Sequence, residues 1–168
     1  MEYLDSKVIN RTDKTLSVKL KKTKEKGVSL FATKIINKGE TIAFYKIKVF
    51  LTRTYESPTN YVYYFEIYRK NGEAYKRLVG DIDADSFPEP IDGISFLAPF
   101  ANEPSESQRV NAEIDINLKE NYVGKTFLQP GDVLVYKLVA TKKIRPGEEI
   151  LWYYGKDYNR NYKVGKKF

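Results

Sequence analysis

The chain has 168 residues, a net charge of +7, and neither histidine nor cysteine. The length fits one domain with a real core. Without cysteine there are no disulfides, thiolate nucleophiles or cysteine-held zinc and iron–sulfur groups, and without histidine there is no Ser-His-Asp triad and no imidazole acid–base chemistry. Any chemistry must therefore use Tyr, Lys, Asp, Glu, Asn or the backbone. Hydrophobic residues at 42% and charged residues at 30% are globular proportions, whereas 14 Tyr and 14% aromatic are high. No run approaches the roughly 18 apolar residues of a membrane helix, and MEYLDSKVIN lacks the apolar core of a signal peptide. An intracellular protein without a membrane partner is the expectation.

The charge is unevenly placed. Residues 1–26 carry 8 basic and 4 acidic residues, and residues 156–168 carry 5 basic and 1 acidic. The central body is nearly neutral. Within it, residues 81–92 hold five acids and no base, which reads as a solvated loop or as a rim that attracts a basic peptide. The basic ends read equally as solubilising tails or as contacts to DNA.

In chain order, Leu16-Ser-Val18-Lys-Leu20 alternates with the period of a half-buried strand. Thr41–Val49 is rich in β-branched and aromatic residues, as strands are. The segments 61–69 and 73–79 flank Asn71-Gly72, which predicts a hairpin with a type I′ turn. A short helix is expected near 91–101. Pro130-Gly131 and Pro146-Gly147 predict type II turns on either side of another strand, Val133–Thr141. The sum is a mainly β protein with many short strands and one or two short helices.

There is one internal echo. Ala32-Thr33-Lys34, Ile36, Gly39-Glu40 and Ile42 recur, 108 positions on, as Ala140-Thr141-Lys142, Ile144, Gly147-Glu148 and Ile150. Two copies are too few for a solenoid, so the pattern reads as two related β units with a long insert between them.

Three blocks in order resemble the SET domain of protein lysine methyltransferases. Gly27–Tyr45 is similar to that family's glycine-led first segment and following strand. Phe100–Glu113 resembles its Asn-His-Ser block. Ala140–Tyr158, with Gly-Glu-Glu-Ile and Tyr-Gly, resembles its last block closely. Gly80-Asp-Ile-Asp-Ala84 is a weaker match. The resemblance implies a single SET domain over 1–168, of the small stand-alone type also met in viruses. Its fold would be a β-clip of several small sheets with a pseudoknot, in which the last block passes under a loop made by the middle one. An N-terminal arm (1–14), a variable insert with the hairpin (46–99) and a tail closing the site (156–168) complete the expected organisation.

The same resemblance implies the cofactor S-adenosylmethionine and a substrate lysine meeting in a narrow channel from opposite faces. Lys26 and Val28 would offer backbone groups to the cofactor, and Asn102 would meet its amino end. Glu103 stands where the family has His, a position that reads the adenine largely through the backbone. Tyr154 falls on the active-site Tyr, which would also contact the cofactor, and Tyr45 on a channel Tyr, these two being the catalytic candidates. Trp152 and Tyr153 join Tyr45 as channel residues, although Trp152 reads equally as a core Trp. A lysine-bearing basic peptide, by family a histone tail, is the implied partner, with DNA or nucleosome contact through residues 1–26 and 156–168. The nucleus, or a host nucleus for a viral protein, is the implied site of action.

These residue types suit that chemistry, because methyl transfer from a sulfonium needs neither a metal nor a covalent intermediate. Three departures stand out. Ser29 replaces a Gly and would be strained if its φ were positive. Pro99 and Ala101 replace Arg and Ile, and Glu103 replaces His. Cysteine-rich flanking segments are absent, which leaves the tail to cover the site. Two other readings compete: an inactive SET-fold module that binds chromatin or a protein through its basic ends, and a basic β-barrel that stacks single-stranded nucleic acid.

Overall fold

The computed structural model describes residues 16–57, 63–82, 88–156, 158 and 160–166. The proposed arm at 1–14 and the centre of the acidic stretch lie outside them. Among the described residues there are seven strands: β1 (Val18–Thr23), β2 (Gly27–Ala32), β3 (Thr41–Leu51), β4 (Phe65–Tyr68), β5 (Ala74–Ile82), β6 (Ala112–Asp115) and β7 (Val133–Ala140). β1 and β2 make a two-stranded hairpin, and the others make a five-stranded sheet in the order β4-β5-β3-β7-β6, with every pairing antiparallel.

β7 alternates strictly between buried and half-exposed positions, burying Leu134, Tyr136, Leu138 and Ala140. Its partner β3 buries Ala43, Tyr45, Ile47 and Val49 by the same period. Both sets join one hydrophobic core with Leu30, Ile36, Ile144 and Ile150. Each such aliphatic side chain contributes about 1.5–3 kcal/mol by leaving water.

The internal echo is a local two-fold. Ile36 and Ile144 exchange both backbone hydrogen bonds, at 2.9 and 2.8 Å. Gly39 N–H donates to Ala140 C=O and Gly147 N–H to Ala32 C=O, both at 2.8 Å. Ala32 N–H donates to Glu148 C=O and Ala140 N–H to Glu40 C=O, both at 2.9 Å. Each bond maps onto its mate at the sequence offset, so the two related units are built against each other.

Two expectations are corrected. Only Gly72 has a positive φ in the 71–72 pair, whereas a type I′ turn needs both residues there. Arg69 N–H pairs with Glu73 C=O and Gly72 N–H with Arg69 C=O, giving a three-residue loop with glycine in the left-handed position. Asn71 instead spends its side-chain oxygen on the Glu73 amide at 3.0 Å. The one α-helix among the described residues, α1, is Leu118–Asn121, not near 91–101, where the chain makes only a 3-10 turn at Ala98–Phe100. Proline at the centre of that turn and a buried surface on all three residues keep it short.

The acidic stretch is not a continuous rim. Asp81 belongs to β5 and is fully buried, accepting from the Tyr55 hydroxyl, from Ser57 Oγ at 2.9 Å and from the Ile82 amide at 2.8 Å. Residue 46, the expected start of the insert, lies within β3, and the hairpin β4–β5 departs only after that strand ends.

Candidate active site

The site is organised by the segment 149–154, which lies between two other segments. On one side, Leu151 bridges Asn102 in parallel and Trp152 N–H donates to Asn102 C=O at 3.1 Å. On the other, Asn111 N–H and Ala112 N–H both donate to Leu151 C=O. The Asn111 side chain closes the crossing: it donates to Glu149 C=O and accepts from Leu151 N–H, both at 2.8 Å. These are the contacts the expected pseudoknot requires.

A single cavity of about 1220 Å³ runs through this region. One end is lined by Lys26, Val28, Asn102 and Glu103, and the other by Phe65, Glu66, Ile114 and Tyr136. Tyr45, Trp152, Tyr153 and Tyr154 line it as well. The residues singled out in the sequence therefore share one cavity, although they come from four separate stretches of chain.

Aromatic rings form a continuous edge-to-face series along this cavity. Centroid separations are 5.9 Å for Tyr136–Phe65, 5.2 Å for Phe65–Tyr45, 5.9 Å for Tyr45–Trp152, 4.9 Å for Trp152–Tyr154 and 4.8 Å for Tyr154–Tyr158. Such contacts fix the rings and present π faces that attract cations. The Tyr154 hydroxyl donates to Ala101 C=O at 2.7 Å, and its backbone N–H donates to Glu103 Oε2 at 2.9 Å. Trp152 packs against the core edge, and its indole N–H is buried without an acceptor. The Tyr45 hydroxyl lies close enough to that indole to act on the phenol, but no hydrogen bond of acceptable geometry forms between them. A buried donor without a partner costs about 1–3 kcal/mol and favours a ligand or water acceptor in the cavity.

At the other end, Asn102 Nδ2 donates to Ser29 Oγ at 2.7 Å and to Val28 C=O at 3.3 Å. The expected strain at Ser29 is absent, because its φ is not positive. Its hydroxyl is fully buried and serves as the Asn102 acceptor. Replacing Ser29 by Ala is therefore expected to destabilise the fold by about 1–2 kcal/mol, by stranding the Asn102 amide, in urea denaturation monitored by Trp152 fluorescence. Lys26 uses its amide on Thr23 Oγ1 and its ammonium on Gln108 (2.6 Å) and Glu149 (3.3 Å), so its carbonyl is the backbone group it can offer. The Glu103 carboxylate is also spent: it accepts from Arg160, Tyr162 and the Tyr154 amide. Any contribution it makes to a ligand comes through its backbone.

Burial pushes the phenols of Tyr45, Tyr136 and Tyr154 well above the ordinary tyrosine value, the Tyr154 phenol being raised further by Tyr45, Tyr63, Tyr158 and Tyr162, while the half-exposed Tyr162 is raised by partial burial together with its hydrogen bond to the Glu103 carboxylate. They remain neutral donors at physiological pH. An unfolded tyrosine ionises near pH 10 while these folded ones do not, so the stability is fully present below about pH 10 and is lost as pH rises through the folded values. Thermal denaturation is expected to show a flat Tm from about pH 7 to 9.5 and a steep fall above about pH 10, with phenolate absorbance of Tyr45, Tyr136 and Tyr154 appearing only as the chain unfolds.

The sequence did not single out Phe65, Glu66 or Tyr136, which sit on ordinary strands. It also missed Arg160, Gln108 and Glu149, whose partners are distant in sequence.

This combination of small antiparallel sheets, a crossing at 149–154 and an aromatic cavity at the crossing defines a SET domain. The chain matches the SET domain family over residues 27–155 and belongs to that family. No curated protein matches it by sequence. Among solved structures, it is similar to the methyltransferase domain of human PR domain-containing protein 2 at 21% identity and a TM-score of 0.50, covering 95% of this chain and 90% of that one. It is also similar to ctPRC2 in an autoinhibited conformation bound to S-adenosylmethionine, at 18% identity and a TM-score of 0.51, covering 86% of this chain and 16% of that much longer one. Both likenesses concern the fold. Among the described residues no helix is long and apolar enough to cross a membrane.

Proposed function

We propose that the chain is an S-adenosylmethionine-dependent protein lysine N-methyltransferase acting on a basic peptide, with a histone tail as substrate. The observation that carries this reading is the single cavity that joins the Asn102–Glu103 end to the Phe65–Tyr136 end past Tyr45, Trp152 and Tyr154. Membership of the SET family and the cofactor held by the structural neighbour ctPRC2 support it. The unpartnered indole N–H and the volume of the cavity fit a ligand with polar groups inside.

In this reading Lys26, Val28, Asn102 and the Glu103 backbone hold the cofactor. Bound there, S-adenosylmethionine supplies a methyl group on a sulfonium. The chain's residues do the rest. A free lysine ammonium has a pKa of about 10.4 and must lose a proton before it can attack. Tyr45, Phe65 and Trp152 wall the amine off from water, which disfavours its charged form. Tyr154, its hydroxyl held by the Ala101 carbonyl, would orient the approach of the amine. Holding amine and methyl in attack geometry supplies several kcal/mol of the barrier reduction. Glu66, which lines the cavity beside Phe65 and Tyr136, suits basic peptide residues.

DNA contact through the basic ends belongs to the same proposal. Nucleosome affinity that falls steeply with salt is the expected outcome. Isothermal titration is the test: S-adenosylmethionine is expected to bind one to one in the micromolar to submillimolar range. Absence of heat at millimolar cofactor, together with salt-sensitive chromatin binding, would favour the inactive-module reading instead.

A further inference from the structure

The tail beyond the last block is fastened at two points, both by groups that no local sequence pattern announces. At the first, Arg160 donates from Nε to Glu103 Oε1 at 2.8 Å and from Nη2 to Glu103 Oε2 at 2.9 Å. The same Nη2 reaches Gly155 C=O at 2.8 Å. The Glu103 side chain is 1% exposed and that of Arg160 15%. Tyr162 O–H and Tyr154 N–H take the remaining acceptor positions of the carboxylate, at 2.8 and 2.9 Å. The guanidinium also lies over the rings of Tyr153 and Tyr158, at 5.5 and 5.4 Å. One carboxylate thus ties together the middle block, the backbone of Tyr154 and the tail.

At the second point, Gly165 N–H donates to Pro104 C=O at 2.9 Å, Lys166 N–H to Gln108 C=O at 3.2 Å and Val110 N–H to Lys166 C=O at 2.9 Å. A Cβ on Gly165 would overlap the carbonyl oxygens of Ser105 and Gln108, so only glycine fits there. Between the fastenings, Asn161, Tyr162 and Lys163 line the cavity.

We propose that residues 160–166 form a pre-fastened strap over the Glu103 end of the cavity, with Arg160 as a positioning residue that acts through Glu103 to hold the Tyr154 backbone. A buried, doubly hydrogen-bonded Arg–carboxylate pair is a directional clamp that lysine cannot reproduce. Holding the strap in place before a ligand arrives removes an ordering cost from binding. The consequence for activity rests on the methyltransferase reading, whereas the strap itself does not.

The test compares the full chain with E103L/R160M, R160K and G165A. The double replacement leaves no unpaired buried charge, so it is the variant expected to fold best. Amide hydrogen exchange is read first. The Tyr154 and Gly165 amides are expected to exchange at least about tenfold faster in E103L/R160M, with β3 and β7 unchanged. S-adenosylhomocysteine affinity is then expected to fall about tenfold in E103L/R160M and in G165A, with R160K intermediate and Tm shifted by only a few degrees. A purely structural pair would lower Tm and leave affinity and kcat of the folded protein unchanged, which would overturn the proposal. Unchanged exchange at Tyr154 and Gly165 would overturn it equally. If the unaltered chain binds no S-adenosyl compound, the functional reading fails and the exchange result alone decides the strap.

Discussion

Tyr154→Phe is expected to lower kcat for methyl transfer by about 10²–10³-fold while the affinity for S-adenosylmethionine changes by less than about threefold. The ring stays wedged between Trp152 and Tyr158, because those contacts do not involve the hydroxyl. The backbone N–H still reaches Glu103. What disappears is one oxygen, held at 2.7 Å by the Ala101 carbonyl and directed by that bond. Loss of a hydrogen bond of this kind costs about 0.5–1.5 kcal/mol of stability, so the variant folds. Single-turnover kinetics beside a cofactor titration separate the two effects. Equal losses in affinity and rate would place Tyr154 in binding instead of orientation.

The second large effect is on the crossing itself. Asn111→Ala removes a side chain that is 6% exposed and satisfies Glu149 C=O and Leu151 N–H at once. Each backbone group left buried without a partner costs about 1–3 kcal/mol, so the expected loss is about 2–4 kcal/mol. For a chain of this size that corresponds to a Tm lower by about 5–15 °C in calorimetry. Asn111→Asp keeps the acceptor for Leu151 but sets a carboxylate against the Glu149 carbonyl, and it should do no better at neutral pH. Because Tyr154 lies three residues beyond Leu151, both variants should lose activity beyond what unfolding removes. A change within about 0.5 kcal/mol would show that the crossing is held by other contacts.

How much of this could be read from the sequence depended on how local the determining signal was. The strands expected at Thr41–Val49 and Val133–Thr141 announce themselves by their β-branched and aromatic residues, and the units around Gly39 and Gly147 by their repetition. Their mutual pairing was not legible, because nothing in either copy says that the other is its partner. The family resemblance pointed to Tyr45, Asn102 and Tyr154, and all three line one cavity. Phe65 and Tyr136 were not, since a strand aromatic looks the same whether it faces core or channel. The Asn71-Gly72 pair pointed to a hairpin correctly and to the wrong turn, because Asn71 satisfies the Glu73 amide with its side chain instead of taking a positive φ. Ser29 looked like a strained replacement for glycine and proved to be a partner for Asn102. The pair Glu103–Arg160, separated by a whole block, required the fold to be seen at all.

The most direct measurement of the central claim is transfer of labelled methyl from S-adenosylmethionine to a lysine-bearing histone-tail peptide by the full chain, with mass spectrometry locating the label. The expected result is label on a lysine side-chain amine, none on a peptide with lysine replaced by arginine, and transfer reduced about 10²-fold or more by Tyr154→Phe. Label that is absent from every lysine peptide under conditions where the cofactor is bound, or label unaffected by Tyr154→Phe, would contradict it.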